Sequence, residues 1–364
     1  MGNNDVIEFT LLLPIFIDNY LCPCTYIPYP CFSTYQIFMN NTTNKIIDAL
    51  LGLAIGDSLG VPVEFKSRET LDQNPVKGML EFGTHHQLAG TWSDDSAMAF
   101  CLAESLCDGY NLNQIGQYFV LWYDSGFWSA RGEVFDVGIS TAQALNQFKR
   151  LKDPLISGNF GEDSNGNGSL MRILPLLFYL RDKEISERFE TISAVSAITH
   201  GHIRSIIACF IYIEFALELL NGAEKVQAYK NMQITINSFL KQFKICDEVE
   251  LNRFHRILEN AYGDYEIRPI LDYKEAEISS RGYVIDTLEA SIWCFLKFDN
   301  FSDSVLKAVN LGGDTDTTGC VTGGLAGLYY GSSSIPTAWL NVLAKKDNII
   351  DLGKRLNDKY PKSA

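Results

Sequence analysis

The sequence has no excess of basic residues. Its 364 residues include 30 Lys and Arg against 44 Asp and Glu, which gives a formal net charge of -14. Nucleic-acid binding rests mainly on Lys and Arg side chains that neutralise phosphates, so nucleic acid is not expected as a partner. A hydrophobic content of 46% in a chain of this length predicts a globular protein with a sizeable core.

The beginning of the chain lacks basic residues and a long apolar run. Residues 1–44 contain no Lys or Arg, so the basic start of a signal peptide is missing. The apolar run 9–17 is about half of the roughly 20 residues that span a bilayer, and Pro14 interrupts it. We therefore expect no membrane span and a cytoplasmic protein.

The cysteines do not form a disulfide or zinc pattern. There are nine, an odd number, scattered along the chain. Cys22 and Cys24 are separated by one residue and have no matching His or Cys pair downstream, which argues against zinc. Reduced thiols in a cytosolic protein are the simplest interpretation.

Residues 1–43 are rich in aromatic residues and proline. Prolines at positions 14, 23, 28 and 30 disfavour a continuous helix, so we predict an extended N-terminal arm. Two interpretations of the arm remain open. It packs on its own domain as an apolar strap, or it docks into a partner, since aromatic side chains bury much area at low entropy cost.

From Asn44 onwards the apolar residues repeat at intervals of three and four, which is typical of α-helices. The first helix follows Asn44, and further periodic runs cover 97–106, 115–123, 169–180, 192–199, 203–220, 234–243, 284–295 and 318–330. Strand-like alternation is nearly absent, and no linker or repeat divides the chain. We predict an all-α fold with a single compact domain over 44–364, in which the polar interval 221–281 holds weaker helices.

Two carboxylate clusters stand out, each just before an apolar helical run. They are Ser93-Asp94-Asp95 and Asp314-Thr315-Asp316-Thr317. Helix capping needs one acid, so the adjacent Asp94 and Asp95 exceed that need. Carboxylates and hydroxyls form a hard oxygen ligand set that suits Mg²⁺, Mn²⁺ or Ca²⁺ rather than Zn²⁺. The sequence therefore predicts a two-metal site.

Other polar residues carry weaker signals. Glu64 follows a glycine- and proline-broken segment in an apolar setting that raises a carboxyl pKa, which favours a catalytic base, although a solvated loop glutamate is the alternative. The glycine-rich turn 166–169 is predicted to open onto a helix whose N–H groups hold an anion, although such turns mostly serve geometry. His200 ends a helical run, where histidine is more often a C-terminal cap than a catalyst. Four glycines between 319 and 327 indicate a closely approached backbone.

Taken in order, these segments resemble the ADP-ribosylglycohydrolase family. The motifs that carry the resemblance are Gly52-Leu-Ala-Ile-Gly-Asp57-Ser-Leu-Gly60 with Glu64, Trp92-Ser-Asp94-Asp95, Gly166-Asn-Gly-Ser169-Leu-Met-Arg172, Thr199-His200, Gly282-Tyr-Val-Ile-Asp-Thr-Leu-Glu-Ala290 and Gly313-Asp314-Thr-Asp316-Thr317. The resemblance implies an all-α domain with a binuclear Mg²⁺ or Mn²⁺ site. It also implies an enzyme that cleaves ADP-ribose from modified protein side chains, most often arginine.

The resemblance also implies roles for individual residues. The positions that match metal ligands are Ser93, Asp94, Asp95, Asp314, Asp316 and Thr317, with Ser93 in place of the family's usual threonine. The positions that match the segments holding ADP-ribose are Asn167, Gly168, Ser169 and His200. Glu64 matches an acid near the metals. The leaving guanidine needs a proton, so we expect Glu64, Asp94 or Asp316 to act as acid or base.

Three functional hypotheses follow. The first is an ADP-ribosylarginine hydrolase acting on a modified protein, and some family members of this kind protect bacteria against ADP-ribosyltransferase toxins. In that case residues 1–43 can also occlude the toxin's active site. The second is an enzymatically idle binding protein, against which the four retained carboxylates argue. The third is a two-metal hydrolase of another ADP-ribose-linked, phosphate- or ribose-containing substrate.

Overall fold

The computed structural model describes residues 44–260 and 267–361, which form a helical domain. In these ranges the α-helices are α1 (Lys45–Gly60), α2 (Arg68–Gln73), α3 (Asp94–Asp108), α4 (Leu112–Ser125), α5 (Ile139–Leu151), α6 (Leu177–Leu180), α7 (Ile185–Ala197), α8 (Ile203–Leu220), α9 (Lys225–Phe243), α10 (Glu248–Asn252), α11 (His255–Leu258), α12 (Val284–Lys297), α13 (Phe301–Asn310), α14 (Thr315–Tyr330), α15 (Thr337–Val342) and α16 (Lys346–Lys359). Short 3-10 helices are Val61–Val63, Leu174–Leu176, Ile270–Asp272, Glu275–Glu277 and Ser332–Ser334. Over the same residues β structure is limited to isolated bridges. The predicted all-α class is confirmed, and the predicted arm, 1–43, lies outside the described residues.

Helix α1 lies in the core of the domain. Asn44 caps it by accepting hydrogen bonds from the N–H groups of Ile46 and Ile47 at 3.0 and 3.3 Å. Apart from Lys45 and Ile47, all of its residues are buried. The stretch 45–63 is long and apolar enough to cross a membrane by length and composition, but 94% of its apolar window is buried inside the domain. This burial is that of a core helix.

Helices α1 and α14 pack with their backbones in contact. The glycines at this contact are Gly52, Gly56, Gly319, Gly323 and Gly327. A methyl group on Gly56 would lie 1.9 Å from the carbonyl oxygen of Gly319, and one on Gly60 would lie 2.3 Å from Cα of Asp316. The two helices are therefore antiparallel, and the start of α14 lies against the end of α1. The predicted close approach of the backbone at 319–327 is confirmed.

Most of the predicted helical runs overlap helices of the structure, and α8 has the predicted bounds, 203–220. Among the helices missing from the sequence prediction are α5, α13 and α16. Each buries a single face and exposes the rest, so the apolar signal is short. The interval 221–281, predicted to hold weaker helices, contains α9, with 19 residues, and the short helices α10 and α11.

The predicted helix from Ser169 is wrong in its first half. Residues 169–173 form turns, and the first α-helical residue after them is Leu177. The N–H of Ile173 donates to the carbonyl of Leu170 at 3.3 Å, an i to i−3 spacing, and Pro175 has no N–H to donate. The glycine-rich turn before this segment therefore does not open onto an α-helix.

Candidate active site

The first acidic cluster lies at the N-terminus of α3. Ser93 is the N-cap, and its hydroxyl accepts a hydrogen bond from the N–H of Asp95 at 3.3 Å. Asp57, near the end of α1, accepts hydrogen bonds from the N–H groups of Ser93 and Ser96 at 2.9 and 3.0 Å. Because these side chains satisfy the start of α3, the carboxylates of Asp94 and Asp95 are not needed as caps. Both are nonetheless buried, with 6% and 1% of each residue exposed.

The second cluster lies at the N-terminus of α14. Glycines 312 and 313 have φ angles of 75° and 73°, which glycine adopts without strain. They lead the chain into Asp314, whose Oδ2 accepts a hydrogen bond from Nδ2 of Asn167 at 2.8 Å. Asp316 and Thr317 follow in the first turn of the helix. This end of α14 is the one that lies against the end of α1.

The two clusters meet in the structure. The hydroxyl of Thr317 donates to Oδ1 of Asp95 at 3.3 Å, across 222 residues of chain. One carboxylate oxygen from each of Glu64, Asp314 and Asp316 lies within 4.8 Å of the other two. Carboxylates that are far apart in the sequence thus share one buried site.

Several oxygens of this site lack a donor. Asp95 Oδ2, Asp314 Oδ1 and Asp316 Oδ2 are buried and have no hydrogen-bond partner within the described part of the chain. Burial, followed by the neighbouring carboxylates, raises the pKa of Asp94, Asp95 and Asp316 well above its usual range. Buried acceptors without a donor or a positive charge are costly. These oxygens therefore fit hard divalent cations such as Mg²⁺ or Mn²⁺, which would supply the positive charge that the carboxylates need.

Glu64 lies beside the clusters, directly after the 3-10 helix Val61–Val63. Only 4% of the residue is exposed, so it is not a solvated loop residue. Burial raises the pKa of Glu64 to about 7, although its hydrogen bond with His85, at 2.5 Å, acts in the opposite direction. A carboxyl group with this pKa exchanges a proton near neutral pH, as a general acid or base must.

A cleft of about 510 Å³ opens over the clusters. Its acidic lining residues are Glu64, Asp94, Asp95, Asp136, Asp163 and Asp314, and no Lys or Arg of the described residues lines it. Within residues 44–260 and 267–361, an anionic ligand entering this cleft therefore meets negative side-chain charge alone. An anionic ligand there needs backbone N–H groups or cations to offset that repulsion.

Gly168 and His200 form one wall of the cleft. Helix α7 ends at Ala197, and His200 lies beyond it in a buried segment, where its N–H donates to the carbonyl of Ser196 at 2.8 Å and the residue lines the cleft. Thr199 Oγ1 lies 2.8 Å from Nδ1 of His200. Burial, and then the charge of Arg172, lowers the pKa of His200 to about 3, so the ring is neutral. A methyl group on Gly168 would lie 2.7 Å from this ring, which leaves room only for glycine.

Not all of the predicted site residues face the cleft. Those that line it are Glu64, Asp94, Asp95, Asn167, Gly168, His200, Asp314 and Thr317. Ser93 and Asp316 are buried beside them and do not line it. Ser169 is fully buried, and its hydroxyl lies 3.4 Å from the sulfur of Cys209 rather than in the cleft.

Three polar residues of the site, Asp57, His85 and Asp136, were given no role in the sequence prediction. Asp57 had a usable signal, because a carboxylate inside a helix as apolar as α1 needs a buried partner. His85 and Asp136 had none, since both lie in irregular segments without a pattern. His85 and Asp136 each offer a ligand atom that lies within 4.8 Å of one on Glu64.

Comparison with known proteins identifies the family. A sequence model of the ADP-ribosylglycohydrolase family matches residues 39–364. The chain belongs to this family. This chain is 33% identical to the ADP-ribosylarginine hydrolase Tri1 of Serratia proteamaculans (strain 568), over 87% of this chain and 80% of that protein. It is 32% identical to the ADP-ribosylarginine hydrolase Tri1 of Pseudomonas putida (strain GB-1), over 86% of this chain and 78% of the relative.

The fold of this ADP-ribosylglycohydrolase also matches a solved structure. The match is to an "ADP-ribosylglycohydrolase-related protein complex", with a TM-score of 0.67 and 29% sequence identity. It covers 87% of this chain and 98% of the other. Sequence and fold thus agree on a glycohydrolase that removes ADP-ribose.

Proposed function

We propose that this ADP-ribosylglycohydrolase cleaves the N-glycosidic bond between ADP-ribose and an arginine side chain of a modified protein. The observation that carries the proposal is the pair of acidic clusters under one cleft, with buried carboxylate oxygens that lack a donor. The names of the two relatives support arginine as the modified residue.

The proposed cofactors are two Mg²⁺ or Mn²⁺ ions. The residues that would hold them are Ser93, Asp94, Asp95, Asp314, Asp316 and Thr317. When bound, such ions would supply positive charge able to orient the ribose hydroxyls and a water molecule for attack at the anomeric carbon. The acidic lining of the cleft supports this requirement, because the part of the chain that the structure describes offers a diphosphate no basic side chain there.

ADP-ribose is proposed to bind along Asn167, Gly168, Ser169 and His200. The amide group of Asn167 donates to Thr287 Oγ1 at 2.9 Å and to Asp314 Oδ2 at 2.8 Å. Its donors are thereby used, and its carbonyl oxygen is the group that can accept from a ligand hydroxyl. Gly168 allows a close approach to the backbone, and Ser169 supports the turn from the buried side. The neutral ring of His200 adds a hydrogen-bonding group on the same wall.

Glu64 is the best placed of the three predicted acid or base residues. It lines the cleft, and its pKa of about 7 suits proton exchange. Asp316 does not line the cleft, and Asp94 is a proposed metal ligand. As the bond between the anomeric carbon and the guanidine nitrogen breaks, protonated Glu64 gives its proton to the leaving nitrogen. The resulting carboxylate then takes a proton from the attacking water.

The charge of the cleft also favours an arginine linkage. A guanidine leaving group becomes a delocalised cation, which acidic walls attract. Asp136 is part of these walls, beside Glu64. A serine linkage releases a neutral hydroxyl and gains nothing from this charge.

We further propose that the protein acts in the cytoplasm and gives immunity against an ADP-ribosyltransferase toxin. Hydrolysis reverses the modification, and residues 1–43 dock into the toxin's active site. The aromatic composition of these residues supports the second part, because stiff, large side chains anchor interfaces well.

Release of ADP-ribose from an arginine-modified protein tests the hydrolase. The intact chain, Asp316→Asn and a chain lacking residues 1–43 are compared with Mg²⁺, with Mn²⁺ and after chelation. We expect release by the intact and shortened chains, loss of release in Asp316→Asn, and loss after chelation. A serine-modified protein and free ADP-ribose conjugates serve as the comparison substrates.

Each other outcome selects an alternative. Release from the serine-linked substrate alone replaces arginine with another ADP-ribose linkage. No release from any substrate leaves an idle binding protein.

For the arm, we expect the intact chain to bind and inhibit an unmodified transferase and the shortened chain to lose that inhibition. Equal inhibition by both chains excludes occlusion by the arm.

A further inference from the structure

A short turn, 82–87, presents His85 to Glu64. An antiparallel bridge between its ends closes the turn. Thr84 fastens it to the segment that carries Glu64, because its N–H donates to the carbonyl of Pro62 at 3.0 Å and its hydroxyl donates to the carbonyl of Glu64 at 2.8 Å. The turn and the glutamate are thus one connected unit.

The backbone around this unit is strained. Phe65, Phe82 and His86 have φ angles of 64°, 66° and 54°, in the left-handed region that non-glycine residues rarely adopt. Such conformations persist where surrounding contacts fix them, and they cluster at functional sites. Three of them flank the contact between His85 and Glu64.

The contact itself is short and largely shielded from solvent. Nε2 of His85 lies 2.5 Å from Oε2 of Glu64, and the two side chains are 14% and 5% exposed. The ring of His85 lies near two aromatic rings, with centroid distances of 5.2 Å to Phe135 and 6.1 Å to Phe65. These rings limit the directions in which the imidazole can turn.

The backbone beyond Glu64 is fixed from the other side. The N–H of Phe65 donates to the carbonyl of Gly313, and the N–H of Gly313 donates to the carbonyl of Lys66, both at 2.8 Å. This pairing joins the segment after Glu64 to the loop before Asp314. With the backbone held there, the remaining freedom of Glu64 is in its side-chain torsions, and the bond to His85 restricts those.

We propose that His85 is a positioning residue that holds the carboxyl group of Glu64 toward the scissile bond. The inference rests on the proposed role of Glu64 as the acid and base of the reaction. Without this hydrogen bond, a flexible glutamate beside the carboxylates of Asp314 and Asp316 is repelled from them and turns away. Catalysis is sensitive to such displacements, because a shift of about 1 Å can lower a rate by about 100-fold.

Two substitutions separate the hydrogen bond from the packing of the ring. His85→Phe keeps a flat ring near Phe65 and Phe135 but has no N–H. His85→Gln keeps an N–H near the position of Nε2 but loses the ring. We expect His85→Phe to lower kcat about 10- to 100-fold with KM within about twofold of wild type. We expect His85→Gln to recover most of kcat, and the reverse order of activities would overturn the proposal.

Crystal structures of both variants give a readout that does not need activity. The carboxyl group of Glu64 should be displaced in His85→Phe and unchanged in His85→Gln. An unmoved Glu64 in His85→Phe would overturn the proposal whatever the kinetics. Wild type and Glu64→Gln are assayed alongside on arginine- and serine-linked substrates. An inactive wild type would count against the proposed function, while the crystal comparison still decides the role of His85.

Discussion

At the scale of single residues, Arg172 shows how the ligand-facing turn is supported from the core. It is completely buried, and its guanidinium lies 4.7 Å from the centre of the Phe119 ring. Burial lowers its pKa to about 10, which leaves it cationic at neutral pH. It donates hydrogen bonds to the carbonyls of Gly168 and Val195. A buried cation thereby holds the carbonyl of the glycine that lines the cleft.

Replacing this cation should weaken ligand binding as well as destabilise the fold. We expect Arg172→Met to raise the Kd for ADP-ribose about 10-fold, because loss of a hydrogen bond from a charged donor costs about 1.5–3 kcal/mol. Calorimetric titration with ADP-ribose and Mg²⁺ measures this. Arg150→Met, at an exposed position of α5, is the matched control. Equal affinities of the two variants would mean that Arg172 does not support the turn.

At the scale of helices, the glycine contact between α1 and α14 sets the spacing of the acidic clusters. Asp57, near the end of α1, caps α3, while the start of α14 lies against that same end of α1. Contacts with α1 therefore position the carboxylates at the starts of both α3 and α14. Any side chain at the contact separates α14 from α1 and moves Asp314 and Asp316 with it.

Gly323→Ala tests this spacing. Its methyl group would lie 2.3 Å from the carbonyl oxygen of Gly52, and backbone cannot move aside as a flexible side chain can. We expect a loss of about 3 kcal/mol or more in the free energy of unfolding, at the upper end of overpacking effects. Denaturant unfolding followed by circular dichroism measures it. Gly138→Ala, where the new methyl group makes only ordinary contact at 3.6 Å, is the control and should change stability little. Similar losses in both variants would show that the contact is not limiting.

The helices also show what sequence patterns can predict. Helix α8 was predictable because it is apolar over most of its length, and α1 because Asn44 marks its start. Helix α16 was not, because only a narrow face, carrying Ile349, Leu352 and Leu356, is buried. The turns after Ser169 were mistaken for a helix because periodicity does not report hydrogen-bond spacing. Tertiary contacts decide such cases.

At the scale of the whole molecule, the protein concentrates negative charge in its interior. The net charge is -14, and buried carboxylates line the cleft. The paired acids were predictable because two carboxylates at one helix start exceed what capping needs. His85 and Asp136 were not, since their importance comes from contacts with Glu64 that the folded chain creates. The paired acids can thus be identified from the sequence, whereas the residues that contact and orient Glu64 cannot.

This internal charge makes the stability of the metal-free protein depend on pH. Burial raises the pKa of Asp95 and Asp316 well above 3.8, so the folded state binds protons more tightly than the unfolded state. The stabilisation that comes from this tighter proton binding is fully present below the pKa of the unfolded state. It is lost as pH rises through the raised pKa values of the folded state. Cations compete with these protons, so we expect Mg²⁺ to raise Tm more at pH 8 than at pH 5.

Differential scanning calorimetry with and without Mg²⁺ measures this difference. Saturation at about 100 times Kd corresponds to about 2.7 kcal/mol of stabilisation. In Asp316→Asn the rise in Tm that Mg²⁺ causes at pH 8 should be largely lost. Without metal, the variant should be at least as stable as wild type. A full increment in the variant would place the bound cation elsewhere.

The contact between Thr317 and Asp95 has a consequence for how the protein folds. It closes a loop of 222 residues, so the site cannot exist before the two distant parts of the chain have met. For the proposed two-metal site, we therefore expect proteolytic fragments that carry only one acidic cluster not to bind Mg²⁺ tightly. During refolding, the recovery of cation affinity marks completion of the whole domain, since it follows the slowest long-range pairing rather than the formation of any single helix.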